Sequence, residues 1–103
     1  MTLHDAILNI GHDPNAYFRK LSELSKPQKI LLAERFLNLA KQDSKKLMQK
    51  HHPDRGGSHD EFVKVSSSFD VIESETRKFV GKVQDKINEE TEARAKMTHI
   101  VLG

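Results

Sequence analysis

Lys50-His51-His52-Pro53-Asp54-Arg55-Gly56-Gly57-Ser58-His59-Asp60-Glu61 joins two long stretches of helix-forming sequence. Its residue types set where one helix ends and the next begins. Pro53 lacks a backbone N–H and its ring disfavours the helical conformation at His52, so a helix arriving through Lys50 ends there. Gly56-Gly57 supplies a turn. Ser58 and Glu61 have capping-box spacing, which restarts a helix at once. A connection this short favours antiparallel neighbours. The segment therefore predicts a helical hairpin with His52-Pro53-Asp54 at its tip.

Upstream, Ser25 and Gln28 have the same capping-box spacing, and Pro27 falls in the first turn, where its missing N–H costs little. Nothing interrupts the run from there to His51. Apolar residues crowd at Ile30, Leu31, Leu32, Ala33, Phe36, Leu37, Leu39 and Ala40, which predicts burial on more than one face. Downstream, Phe62, Val65, Phe69 and Ile72 recur at steps of three and four and define one helical stripe. Ser66, Ser67 and Ser68 lie between stripe positions and demand little space. The helix is expected to kink or end around Glu73–Thr76. A final helix is expected from near Glu75 into the nineties, with Phe79, Val80, Val83 and Ile87 inward and the tail Met97–Gly103 docked or frayed. At the start of the chain, Thr2 caps an expected helix over Leu3–Ile10 closed by Gly11. Asp13-Pro14 then opens a helix over Pro14–Leu24.

Charge divides the hairpin. Lys41, Lys45, Lys46, Lys50 and Arg55 face only Asp43 and Asp54 in the first limb. Asp60, Glu61, Asp70, Glu73 and Glu75 face only Lys64 in the second. Opposite charge favours the pairing, although an exposed pair contributes only ~0–1 kcal/mol. The main stabilisation is expected from Leu47 and Met48 packing on Phe62, Val65 and Phe69, at roughly 1.5–3 kcal/mol per fully buried side chain. Lys41 and Lys45, like Lys46 and Lys50, are like-charged neighbours four apart, mildly unfavourable on an isolated helix. Such a face either is simply solvated or serves an acidic partner.

The remaining composition narrows the classes. With 103 residues the chain suits one domain. Charged residues at 31% beside 36% hydrophobic ones fit a folded helical protein rather than a disordered one. Cysteine is absent, so disulfides, thiolate metal sites and a Cys nucleophile are excluded. No apolar run reaches the ~20 residues of a membrane span, and Met1–Asn15 lacks the features of a signal peptide. These point to a cytoplasmic protein. A net charge of +2 does not by itself indicate nucleic acid.

The stretch Leu47-Met48-Gln49-Lys50-His51-His52-Pro53-Asp54-Arg55-Gly56-Gly57 resembles the junction between the second and third helices of J-domains, the co-chaperone modules of the heat-shock 40 class. Phe62-Val63-Lys64-Val65-Ser66-Ser67-Ser68-Phe69-Asp70-Val71-Ile72 resembles the third helix of that family. Arg77-Lys78 falls where its fourth helix often has a basic start. The likeness covers about Lys41–Lys78. The tripeptide alone has a chance origin of about one per cent in a chain of this composition. The basic helix before it and the phased helix after it make the combination specific. The family's second helix commonly carries a Tyr near the position of Ser44, and its second helix is usually shorter than the Ser25–His51 run here.

The resemblance implies an all-α fold, a J-domain-like antiparallel hairpin with additional N-terminal and C-terminal helices. It divides a single domain into an N-terminal extension and first helix (1–40), the core (41–78), and a C-terminal helix and tail (79–103). Pro14–Leu24 is the favoured first helix. It also implies a function. His52, Pro53 and Asp54 would engage a heat-shock protein 70 class chaperone at its nucleotide-binding domain and linker and stimulate its ATP hydrolysis, with no chemistry performed by this chain. Lys45 and Lys46 fall closest to the family's basic positions and Lys41 and Lys50 less closely; Arg55 adds to the contact. No cofactor and no metal is implied, and no Gly/Phe-rich linker or zinc module follows. Three other readings stand beside it. One is a J-like adaptor that binds proteins through the N-terminal helices without driving ATP turnover. Another is a metal site among His51, His52, Asp54, His59 and Asp60. The last is a nucleic-acid binder using the Lys41–Arg55 face.

Overall fold

The computed structural model describes the backbone of residues 1–102 and the side chains of residues 1–95. It is all-helical: α1 spans Leu3–Asn9, α2 Pro14–Ser22, α3 Lys26–Lys50 and α4 His59–Leu102, with a 3₁₀ turn at Pro53–Arg55 between the last two. The expected tail, Met97–Gly103, lies outside the described side chains. No helix among the described residues is long and apolar enough to cross a membrane.

Local chemistry places each start. Thr2 Oγ1 accepts from the Asp5 N–H at 3.1 Å. Asp13 Oδ1 accepts from the Asn15 and Ala16 N–H groups at 3.0 and 3.3 Å. The Gln28 side-chain oxygen accepts from the Ser25 N–H at 3.2 Å. Each satisfies donors that a helix start leaves without a partner. α2 stops at Ser22, two residues before the expected Leu24. There the Ser22 hydroxyl donates to the Arg19 carbonyl at 2.6 Å, and the Glu23 and Leu24 N–H groups reach back only three residues, which tightens the last turn out of the α-helix.

α3 and α4 run antiparallel and make the most extensive helix–helix contact among the described residues. Lys26 at one end pairs with Glu90, and Met48 at the other lies beside Phe62. That ion pair holds the Glu90 carboxyl below its ordinary range. The core joins Ala6, Ile7 and Ile10 of α1 and its C-terminal cap to Phe36 and Ala40 of α3 and Val65 and Ile72 of α4. Leu47, Met48 and Phe69 pack against that cluster.

The expected break in α4 needs correction. α4 passes Glu73–Thr76 without interruption. The buried positions Val65, Ser68, Ile72 and Thr76 continue a single seam at helical steps, no Gly or Pro occurs between Ser58 and Val80, and Glu73–Arg77 and Glu75–Lys78 pairs bridge the doubtful turn at 3.6 Å. Beside the hairpin, α1 contributes the core residues and α2 flanks them. Ile7 of α1 is fully buried, whereas α2 flanks the cluster through Tyr17 and Phe18. Short α1 is fixed on α4 by a polar contact as well. Asn9 donates to Ser68 Oγ at 3.0 Å, and Ser68 donates to the Lys64 carbonyl at 2.7 Å. His12, after α1, lies 2.6 Å from Asp43 of α3 and sets its ring edge-on to Phe36.

Tyr17 stacks on Phe36 with ring centroids 4.1 Å apart. Burial pushes its phenol up to about 12, above the ordinary value of about 10 that it takes in the unfolded chain. The phenol is thus harder to ionise folded than unfolded. Its contribution to stability is complete below about pH 10 and is lost as pH rises through about 12. Tyr17 is the one tyrosine and there is no tryptophan, so near-ultraviolet phenolate absorbance follows it alone. The expected native midpoint is about 12, falling to about 10 in denaturant. Tyr17→Phe is expected to flatten the loss of Tm over that window. A native midpoint at about 10 would show that the ring is solvated.

Candidate functional site

The loop between α3 and α4 is held from both sides. α3 ends on His51, whose N–H donates to the Leu47 carbonyl at 3.0 Å. Pro53 keeps His52 in the extended region (φ −62°, ψ 131°). The His52 carbonyl then accepts from the Arg55 and Gly57 N–H groups at 2.9 and 3.1 Å. Gly56 takes a left-handed conformation, φ +76°, which side chains bearing a Cβ rarely adopt. Gly57 has a different reason. A Cβ there would come within 2.3–2.5 Å of the His51 backbone, so loop and helix end touch main chain to main chain.

Gly57→Ala must therefore displace one of these backbones. The expected result is a loss of roughly 1–3 kcal/mol in denaturant melts and broadened amide resonances at His51–Asp54 in a nitrogen–proton correlation spectrum. An unchanged melt and spectrum would mean that the close approach is not needed.

His52 and Asp54 point outward from this frame, with side chains 45% and 90% exposed. The Asp54 N–H donates to His52 Nδ1 at 3.2 Å. With Nδ1 as acceptor, the neutral imidazole carries its proton on Nε2. Phe62 meets the His52 ring edge-on at 5.6 Å and 87°, which fixes the ring plane. Lys45, Met48, Gln49, His52 and Phe62 line a shallow, mainly apolar groove of ≈ 480 Å³ directly beside the tripeptide. The ring support from Phe62 escaped the sequence reading, which gave that residue to the hairpin core; its aromatic character four residues after Ser58 was the available signal.

All eight candidate residues occupy the loop or the limb that leads to it. Lys41, Lys45, Lys46, Lys50 and Arg55 are exposed, and none forms an ion pair among the described residues. The acids of α4 do not consume the basic face: Glu73 and Glu75 pair within their own helix. Ser44, on the opposite side of α3, is 2% exposed and its hydroxyl has no hydrogen-bond partner among the described residues. No three His, Asp or Glu side chains converge as metal ligands among the described residues. What the arrangement offers is a fixed loop with an exposed imidazole, an exposed carboxylate and a cationic ridge beside an apolar groove. Comparison with known proteins returns no match, whether to a family model, a curated protein or a solved structure.

Proposed function

We infer that this chain is a J-domain co-chaperone that binds a heat-shock protein 70 class chaperone and stimulates its ATP hydrolysis. The observation that carries the reading is the presentation of His52-Pro53-Asp54. The tripeptide stands exposed on a loop whose backbone is already fixed, at the end of a helix whose cationic face forms no ion pair among the described residues. A preformed loop lowers the ordering cost of binding. Asp54 suits an Arg of the partner, because a carboxylate accepts two parallel N–H bonds from a guanidinium. Lys41, Lys45, Lys46 and Lys50 suit an acidic surface and would steer the encounter.

On this reading α1 stands for the family's first helix, and α2 is an addition. The chain itself catalyses nothing and needs no cofactor or metal. Its basic limb serves a protein rather than nucleic acid, because the acidic α4 start lies next to it. Absence of cysteine accords with a reducing cytoplasm. The test is the steady-state ATPase rate of heat-shock 70 class chaperones with and without this protein. Stimulation is expected with at least one of them; none across several chaperones overturns the reading.

A further inference from the structure

The outer side of α3 near its start is both apolar and basic. Leu31 is 55% exposed and Leu39 44%, although the crowding of apolar residues there predicts burial. At 100° per residue Leu31, Arg35 and Leu39 fall within about 80° of one another on the helix surface. Lys20 and Leu24 of α2 and its end face Gln28, Leu31, Leu32 and Arg35 across a groove of ≈ 230 Å³. No acid lines it, and neither Lys20 nor Arg35 forms an ion pair among the described residues.

Single exposed leucines are ordinary. Leucines that converge on a groove with unpaired cations on both walls make a surface with a definite complement. We propose that this groove docks an acidic amphipathic helix of a partner protein. The partner's apolar side chains sit on Leu24, Leu31 and Leu32, and its carboxylates meet Lys20 and Arg35. An amphipathic helix lays anchors at steps of three and four into such a groove, and the flanking charge sets its orientation and speeds its arrival. A second copy of this chain is the poorer occupant, because a two-fold contact would set like charges of the same patch against each other. A phosphate backbone has no apolar anchors to fill the floor. The groove is separate from the loop, roughly 30 Å from it along α3, so the inference stands independently of the chaperone reading.

The test uses the full chain and a fluorescein-labelled synthetic four-turn helix with leucines on one face and glutamates beside them. A sister peptide carries lysine in place of each glutamate. The acidic peptide is expected to raise its fluorescence anisotropy on titration and the lysine peptide not to. Leu31→Ser and Arg35→Glu are each expected to weaken binding about tenfold or more, with His52→Gln unchanged. Both substituted side chains are exposed, so thermal melts should stay within a few degrees of the unmodified protein. Absence of binding by the acidic peptide, equal binding of both peptides, or indifference to both substitutions overturns the proposal. So does sedimentation equilibrium showing a dimer that Leu31→Ser abolishes, since that gives the face to a second copy.

Discussion

His52→Gln and Asp54→Asn are each expected to return the ATPase rate of a stimulated heat-shock 70 class chaperone to its basal value, while the far-ultraviolet circular dichroism of the variants matches that of the unmodified chain. The argument separates fold from contact. Asp54 is almost wholly exposed in the free protein, so its charge contributes little to folding. In the proposed complex the same carboxylate would leave water, and losing one member of a desolvated, hydrogen-bonded charge pair costs about 2–5 kcal/mol, or at least roughly 30-fold in affinity. Asn keeps the shape and removes the charge. Gln at position 52 loses the ring that meets Phe62 and the acceptor at Nδ1, a change of about 1 kcal/mol for the loop and, on the proposed reading, of the ring that the partner would meet. Charge reversal of Lys45 and Lys46 together should act differently, slowing association and altering its salt dependence more than its dissociation. Full stimulation by both loop variants would remove the tripeptide from the mechanism.

Ile72→Ala is expected to cause a large loss of stability. Ile72 is fully buried and lies in the cluster that joins α1, α3 and α4. Truncating a core Ile costs about 2–5 kcal/mol, the larger part of it where the walls cannot collapse. A domain of this size has only about 5–15 kcal/mol in total. At ~4–8 °C per kcal/mol, Tm should fall by about 10 °C or more. Val63→Ala is the matched control. Val63 is 44% exposed, and its change should stay within about 0.5 kcal/mol. Similar losses from the two would place the core elsewhere.

The helices were readable in sequence because their signals are local. Thr2, Asp13, Ser25 and Ser58 each precede the helix they cap, and Pro53 with Gly56-Gly57 leaves one place for the break. What escaped was set by tertiary contact. Thr76 and Ser68 look like interruptions in an apolar stripe, yet both are buried in it. A small hydroxyl that bonds to its own helix, as Ser68 does to Lys64, is accommodated where backbones approach closely. α1 is only seven residues long and would be marginal alone; Ile7 and Ile10 acquire their importance only against α3 and α4. Leu31 and Leu39 show the opposite error, apolar residues in a crowded run that the fold leaves outside. The candidate loop was visible residue by residue, but the main-chain contact of Gly57 with His51 was not, since two adjacent glycines suggest freedom and one of them instead reports a lack of space.

α3 continues without a break from Lys26 to Lys50. That continuity makes it a ruler. A cargo seated near Leu31 and an ATPase seated at His52 would be held about 30 Å apart, with no flexible linker whose length dilutes one partner with respect to the other. Changing the helix by whole turns would change that spacing in steps of about 5.4 Å while leaving both contact surfaces intact.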